Sequence, residues 1–193
     1  MTTYTSVGQN PLPVAQGGSG TTTTTGSTNL VYATSPTLVT PAFGAITATS
    51  LSLNSSDGVL GTTTNNNATT GYVGEFVQSN IPVASAVSAT SGNTSDITSI
   101  TLSAGDWDIY GLAYVTATTT LTSFLCWMNT SSATQPDLSY TAGLGFGTTT
   151  IGSLTAPTIR VNVSSSTTVY LSITPSGTGT ITAAGTISAR RAR

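Results

Sequence analysis

Short runs of apolar and β-branched residues, separated by turn residues roughly every eight to twelve positions, occupy the chain from Gly71 onward. The pattern predicts strands over Tyr72–Gln78, Val83–Ala89, Ile97–Leu102, Trp107–Ala117, Thr120–Asn129, Ser139–Thr148, Thr158–Val163, Thr168–Ile173 and Thr180–Ala189. The expected turns lie at 91–93, 104–106, 135–137, 164–166 and 175–177. So many short strands in one segment are typical of a β-sandwich or jelly roll.

Within several of these runs apolar and polar residues alternate, as on a strand with one face in a core. The positions predicted to face the core are Ile100 with Leu102, Trp107 with Ile109, and Ile159 with Val161 and Val163.

Residues 1–70 have a different pattern, with four prolines, glycine-rich turns and a run of five threonines at 21–25. Proline removes ladder donors and glycine removes packing area, so we expect short strands at most, around 30–33, 37–40 and 45–53. Such a segment buries no core of its own, so it is either disordered or ordered by lying against other chains. The sequence therefore predicts an extended segment over 1–70 and a folded head over 71–193.

Composition supports an all-β protein, because Ser and Thr make up roughly a third of the chain and straight-chain helix formers are scarce. Charged residues amount to 5% and the net charge is −2. Ordinary soluble domains are about a quarter charged. A surface of hydroxyls and glycine indicates a protein that works inside an assembly.

The residue inventory excludes most enzyme chemistry. The chain has no histidine, and its four positive side chains are all arginines. Without a base for a Ser or Cys nucleophile, and with a single cysteine, Cys126, a catalytic triad, a zinc ribbon and an intrachain disulfide are excluded. We therefore expect no enzyme activity, no catalytic residues, no metal site and no cofactor.

Charge and hydropathy also bear on partners and location. The acidic balance argues against nucleic acid, which requires a basic face. No apolar run is long enough to span a membrane, and residues 1–10 lack the pattern of a signal peptide. We expect no membrane partner and no secretion through a leader in this sequence.

Asp106-Trp107-Asp108 is the most conspicuous cluster. Strand alternation places both carboxylates on one face and the indole on the other. A calcium site would need six to eight oxygens, and glycoside hydrolysis would need two carboxylates with opposed protonation states. The favoured interpretation is structural: a turn at Gly105 and a strand whose Trp107 enters the core.

Three other groups have a structural and a functional interpretation. The aromatics are expected mainly in the core or an interface, with a sugar platform as the alternative, and Cys126 is expected as a buried, inert thiol. The glycines at 17–20 lack the lysine and helix of a phosphate loop. Arg190, Arg191 and Arg193 would either pair with a neighbouring subunit or remain solvated.

The N-terminal string PLPVAQGGSGTTTTTG at 11–26 resembles the PxxVxxGGTGxTT element of bacteriophage tail-fibre and related virion proteins, with Ser19 in place of the usual Thr. The following SPTLVTPAFG at 35–44 resembles the segment that commonly succeeds it. The resemblance covers about the first 45 residues and implies attachment to the virus particle. The implied docking residues are Pro11, Leu12, Pro13, Val14, Gly17, Gly18 and Gly20.

The second half resembles C-terminal modules of phage fibre and minor structural proteins through TGYVGEFV at 70–77, TSITLSAGDWDIYGLAYV at 98–115 and GTISARRAR at 185–193. These modules are similar in strand plan to the trimeric jelly-roll heads of tumour necrosis factor and complement. The resemblance implies a homotrimeric structural protein of the virion, made in the bacterial cytoplasm, that contacts other tail, neck or capsid proteins. A carbohydrate- or receptor-binding module is the alternative, with a host surface glycan as partner; a depolymerase is disfavoured.

Overall fold

The computed structural model describes Thr64 and residues 66–193. Clustering of contacts divides the chain into two units, Met1–Leu60 and Gly61–Arg193. The short strands expected around 30–33, 37–40 and 45–53 lie outside the described residues. The boundary expected between residues 70 and 71 stays a prediction.

Seven antiparallel strands form the described unit, and no α-helix occurs within 66–193. They are β1 (Phe76–Ile81), β2 (Val87–Ala89), β3 (Ser95–Leu102), β4 (Gly105–Asn129), β5 (Thr141–Val163), β6 (Thr167–Thr178) and β7 (Ile181–Arg191). Two 3-10 turns, Val83–Ser85 and Leu138–Tyr140, precede β2 and β5. The expectation of an all-β head is confirmed.

Strands β4 and β5 form a long hairpin that contributes to two sheets. The first half of β4 pairs with β7 over 107–117, and its second half pairs with β6 over 120–129. β5 follows β4 along both halves. One sheet therefore has the order β1–β7–β4–β5, extended by β2 on β7, and the other has the order β3–β6–β4–β5.

Counting each half of β4 and β5 as a strand, and β1 with β2 as one interrupted strand along β7, gives the eight strands of a jelly roll. The core between the two sheets takes the inward residues of both, as the alternating pattern predicted. Leu102, Trp107 and Ile109 are fully buried, Ile100 is buried, and the run Ile159, Val161 and Val163 packs against them half-buried. The jelly-roll expectation is thus confirmed by strand order and register.

Several strand boundaries differ from the sequence prediction. Residues 70–74 form turns with positive φ at Gly71 (88°) and Gly74 (90°), so the first strand begins at Phe76 rather than Tyr72. The strand expected over 83–89 is split into a 3-10 turn and β2, following Pro82. Two expected strand pairs are each continuous, as β4 and as β5, because bulges carry the pairing through the bends.

The turn expected at 175–177 is wrong: these residues belong to β6. Proline is tolerated there because Pro175 lies beside a shift in register between β4 and β6. The true turn comes at Gly179, which has φ 83° and lies against Thr118 and Thr119. Gly105, expected within a turn, is instead the first residue of β4 and has φ 146°.

Both ends of the described chain lie at one end of the head, here called the proximal end. Phe76 at the start of β1 is opposite Arg190 near the end of β7, and Trp107 at the start of β4 is opposite Arg191. The distal end carries the bend of β4 at 118–119 and the turn before β7, where Thr118 N–H donates to Thr180 O.

Candidate functional site

Asp106 lies at the proximal end beneath two exposed arginines. Its side chain is 4% exposed, and it accepts hydrogen bonds from Arg160 Nε at 2.9 Å and from Arg160 Nη2 at 2.5 Å. Arg193 Nε lies 2.8 Å from the same carboxylate. Hydrogen bonding to Arg160 lowers the pKa of Asp106 to about 2, against the opposing effect of burial.

Trp107 points from the neighbouring position into the core, as the alternation predicted. It is fully buried, and its Nε1 donates to Ser103 O at 3.0 Å. Asp106 and Asp108 have the opposite orientation, but Asp106 is covered by arginines rather than solvated. Both oxygens of Asp106 are engaged by guanidinium groups, which fits the structural interpretation of the cluster. Among the described residues, no three His, Cys, Asp or Glu side chains are grouped as metal ligands.

A second ion pair joins the start of β1 to the end of β7. Arg191 Nε lies 2.9 Å from Glu75 Oε2, and both side chains are at least nine-tenths buried. Arg191 also donates to Ala104 O at 2.8 Å and to Ser103 Oγ at 2.6 Å. Its guanidinium carbon lies 4.4 Å from the centre of the Trp107 ring, within cation–π range.

The surroundings of Glu75 favour its charged form. Burial raises its pKa, but hydrogen bonds from Gly71 N–H and Arg191 outweigh that effect, so the pKa is below its usual range. The backbone adds two bonds at the same place: Arg191 N–H donates to Glu75 O, and Gly74 N–H donates to Arg191 O.

These contacts correct the interpretation of Arg191, which is buried and pairs with Glu75 of its own chain. Arg193 is exposed and lies close to Asp106, and Arg190 is exposed and lies over the Phe76 ring at 5.6 Å. The local sequence could not reveal these partners, because Glu75 and Arg191 are 116 positions apart. The scarcity of charge was the available signal, since a buried ion in such a chain requires one of few counter-ions.

Asp96 organises the loop between β4 and β5, and sequence reasoning missed this role. Its two carboxylate oxygens accept from Ser132 Oγ at 2.5 Å, Ala133 N at 2.9 Å and Ser172 Oγ at 2.6 Å. Ala133 has φ 47°, a left-handed conformation that a non-glycine residue adopts at a cost. The loop lies over Trp127, whose Nε1 donates to Thr134 O at 2.9 Å.

The outer face of the β1–β7–β4–β5 sheet carries a shallow apolar groove of about 330 Å³. Tyr110 and Leu112 lie at its centre, 49% and 45% exposed, and hydroxyl residues of β5 and β7 flank them. On the outer face of the other sheet, Trp127 is covered by the loop between β4 and β5. One outer face therefore has a covered aromatic side chain, whereas the other has exposed apolar side chains.

The other candidate residues separate into core and surface. Phe124 and Trp127 are fully buried, as a structural role predicts, whereas Tyr140 is 55% exposed in the turn before β5. Tyr114, Phe146 and Tyr170 are half-buried.

Cys126 is fully buried, and burial raises the pKa of its thiol to about 12. This confirms the expected inert cysteine, because the reactive species is the thiolate.

The predicted docking residues Pro11, Leu12, Pro13, Val14, Gly17, Gly18 and Gly20 lie outside the described residues, and their role stays a prediction. Within the described part of the chain, no helix is long and apolar enough to cross a membrane.

Comparison with known proteins gives distant structural similarity alone. No family model and no curated protein matches the sequence. Among solved structures, one titled "Structure of infectious bursal disease virus Gx strain" superposes with a TM-score of 0.41 and 14% identity, covering 61% of this chain and 32% of that one. A mutant VP2 protein of infectious bursal disease virus, from derived T=1 particles, gives a TM-score of 0.31 and 14% identity over 59% of this chain and 28% of that one. The chain spans about a third of the length of these solved chains, and superpositions this loose carry no argument about function.

Proposed function

We propose that this protein is a non-enzymatic structural protein of a bacteriophage virion: a short homotrimeric fibre or appendage. Its N-terminal segment docks on the particle, through the elements at 11–26 and 35–44, and its jelly-roll head projects outward. The observation that carries the proposal is an all-β jelly-roll head that the chain enters and leaves at one end, preceded in the sequence by a segment with those two elements.

The side chains of the head support a structural rather than a catalytic role. Asp106 and Glu75 are held ionised by arginines, and the pKa of Cys126 is too high for a nucleophile at neutral pH. The carboxylates of Asp106 and Glu75 thus stabilise the fold. Its location, on this proposal, is the assembled virion, and its partners are sister chains and other proteins of the tail, neck or capsid.

The trimer is supported by an apolar surface that residues 66–193 leave exposed. Tyr110 and Leu112 stand on the outer face of one sheet, and Leu144 and Ile151, 40% and 52% exposed, stand on the outermost strand β5. No charged residue occurs between positions 138 and 159. An uncharged surface with exposed apolar side chains suits burial between symmetric copies of the chain.

Light scattering on the purified full chain tests the trimer directly. We expect three times the chain mass of 19.4 kDa. The double variant Tyr110→Ser with Leu112→Ser should shift the mass toward the monomer, while the matched change Tyr140→Ser, outside that face, should leave it unchanged. A parent protein that scatters as a monomer at micromolar concentration would contradict the trimer.

Deletion of residues 1–45 tests particle attachment. The deletion removes no described strand, so the head should remain folded and soluble but fail to join virions when expressed during infection. The full-length chain, expressed in the same way, is the control. Incorporation of the shortened chain would show that attachment lies elsewhere.

A glycan-binding head is a second candidate, favoured by the groove beside Tyr110. Sugar rings stack on exposed aromatic faces, and the groove places Thr155, Thr186 and Ser188 around the ring as hydrogen-bonding groups. A glycan array probed with the full chain and with Tyr110→Ala separates this role from a spacer. Binding that is lost with Tyr110→Ala supports it, and an array without binding removes it.

A further inference from the structure

The point at which the chain enters the head is fastened to the point at which it leaves. Within three residues, Gly74 to Phe76, the entering chain makes two backbone hydrogen bonds to Arg191, the buried Glu75–Arg191 ion pair, and the first rung of the β1–β7 ladder. Most of the core residues belong to β4, β5 and β6, and not to β1 or β7, the two strands that meet at this junction.

We propose that the head is a mechanical anchor: tension that arrives through the segment before residue 75 loads β1 along β7 in shear, and the Glu75–Arg191 pair locks the point of entry. The inference rests on the proposed function, in which the N-terminal segment connects the head to a particle. It adds a property that attachment alone does not require.

The direction of the strands gives the geometry of loading. β1 runs away from the proximal end, and all six of its residues pair with β7, from Phe76 opposite Arg190 to Ile81 opposite Gly185. Antiparallel hydrogen bonds lie perpendicular to the strands. A pull on residue 75 along the strand axis strains the whole β1–β7 ladder together instead of one bond after another.

The strand that receives this load is itself held in the middle of the sheet. β7 pairs with β1 on one side and, from Trp107 opposite Arg191 to Ala117 opposite Ile181, with β4 on the other. The longer ladder to β4 transfers the load to the core.

Arg191 has contacts on several sides, so it is well placed to hold the entering chain at Glu75. Its guanidinium contacts Glu75, Ser103 and Ala104 and stacks over Trp107. Separating β1 from β7 would leave a buried guanidinium without its counter-ion, which is strongly unfavourable. Glu75 therefore resists the first displacement of the entering chain.

Single-molecule force spectroscopy in two pulling geometries tests the proposal. In the axial geometry, handles are attached through Thr69→Cys and Thr119→Cys, exposed positions at the proximal and distal ends. In the peeling geometry, Thr69→Cys is combined with a cysteine added after Arg193, so that force separates β1 and β7 from one end. Cys126 is fully buried and is not labelled in the folded protein. Each assembly carries one labelled full-length chain among unlabelled ones.

We expect a higher peak unfolding force in the axial geometry than in the peeling geometry. Glu75→Gln should lower the axial force, while Asp137→Asn, which removes a carboxylate from the turn before β5, should leave it unchanged. Equal forces in the two geometries of the parent protein would overturn the anchor, even if Glu75→Gln fails to fold. A folded Glu75→Gln protein with the parent's axial force would overturn the lock. Either failure leaves the virion proposal standing, because that proposal is tested by particle incorporation.

Discussion

Replacement of Trp107 by alanine should strongly destabilise the head. The side chain is fully buried between the sheets, donates to Ser103 O and supports the Arg191 guanidinium. A tryptophan buries about 150–250 Å², which at about 25 cal/mol per Å² corresponds to roughly 4–6 kcal/mol of transfer free energy. Partial collapse of the site moderates this to the about 3–5 kcal/mol observed for large-to-small core substitutions. That is a large part of the roughly 5–15 kcal/mol that stabilises a domain.

Urea denaturation followed by far-UV circular dichroism measures this loss, because tryptophan fluorescence changes with the substitution itself. The control is Val83→Ala, a truncation in the turn before β2 where the side chain is 61% exposed. We expect a large fall in the unfolding midpoint for Trp107→Ala and a small one for Val83→Ala. Equal midpoints for Trp107→Ala and the parent would refute the core assignment and return the cluster at 106–108 to consideration as a ligand site.

Three further measurements follow from the described contacts. Because the pKa of Asp106 falls from 3.8 to about 2 on folding, its stabilising effect is complete above pH 4 and is lost as the pH falls through 2. Thermal melts should therefore show a larger acid-induced loss of stability in the parent than in Asp106→Asn, in which Glu75 still titrates; Asp108→Asn is the matched control. Gly105→Ala should lower the melting temperature, because its Cβ would lie 1.8 Å from Arg191 Nη1; an unchanged melt would show that the guanidinium can move aside. Cys126 should resist alkylation by iodoacetamide until the protein unfolds, and rapid labelling of the native protein would contradict its burial.

Local pattern was sufficient for the fold class and for the core around Trp107. Alternation gives the inward face of each strand directly, since it depends on a period of two and not on distant partners. Reliance on local pattern also explains why residues 149–157 and 175–177 were not expected in strands, although they belong to β5 and β6. Glycine and proline are typical of turns, but there the β4 ladder holds them in extended strands.

The candidate site required contacts that no local pattern encodes. Alternation correctly placed Asp106 opposite to Trp107, yet it could not show that Arg160 and Arg193 close over the carboxylate. Winding a ribbon into a jelly roll brings residues together that are far apart in sequence, and the ion pairs follow from that winding. The sequence alone predicts that Asp106→Asn has a small effect on stability, as for a solvated carboxylate. The ion pairs with Arg160 and Arg193 predict a larger loss of stability.

The hydrogen bonds around the Glu75–Arg191 ion pair indicate where a stable isolated head should begin. A boundary at residue 71 follows the change in composition, but Asn67 Nδ2 donates to Phe76 O at 3.4 Å, and Tyr72 N–H donates to Thr69 O at 3.0 Å. Gly71 N–H donates to Glu75 Oε2, so the turn at 70–74 helps hold the carboxylate that neutralises Arg191. In a chain that begins at Gly71, the nitrogen that donates this bond would become a charged N-terminal amino group. The preceding residues, which support the turn, would be absent. Composition therefore marks where a hydrophobic core becomes possible, and we expect a head that begins at residue 66 to be more stable than one that begins at residue 71.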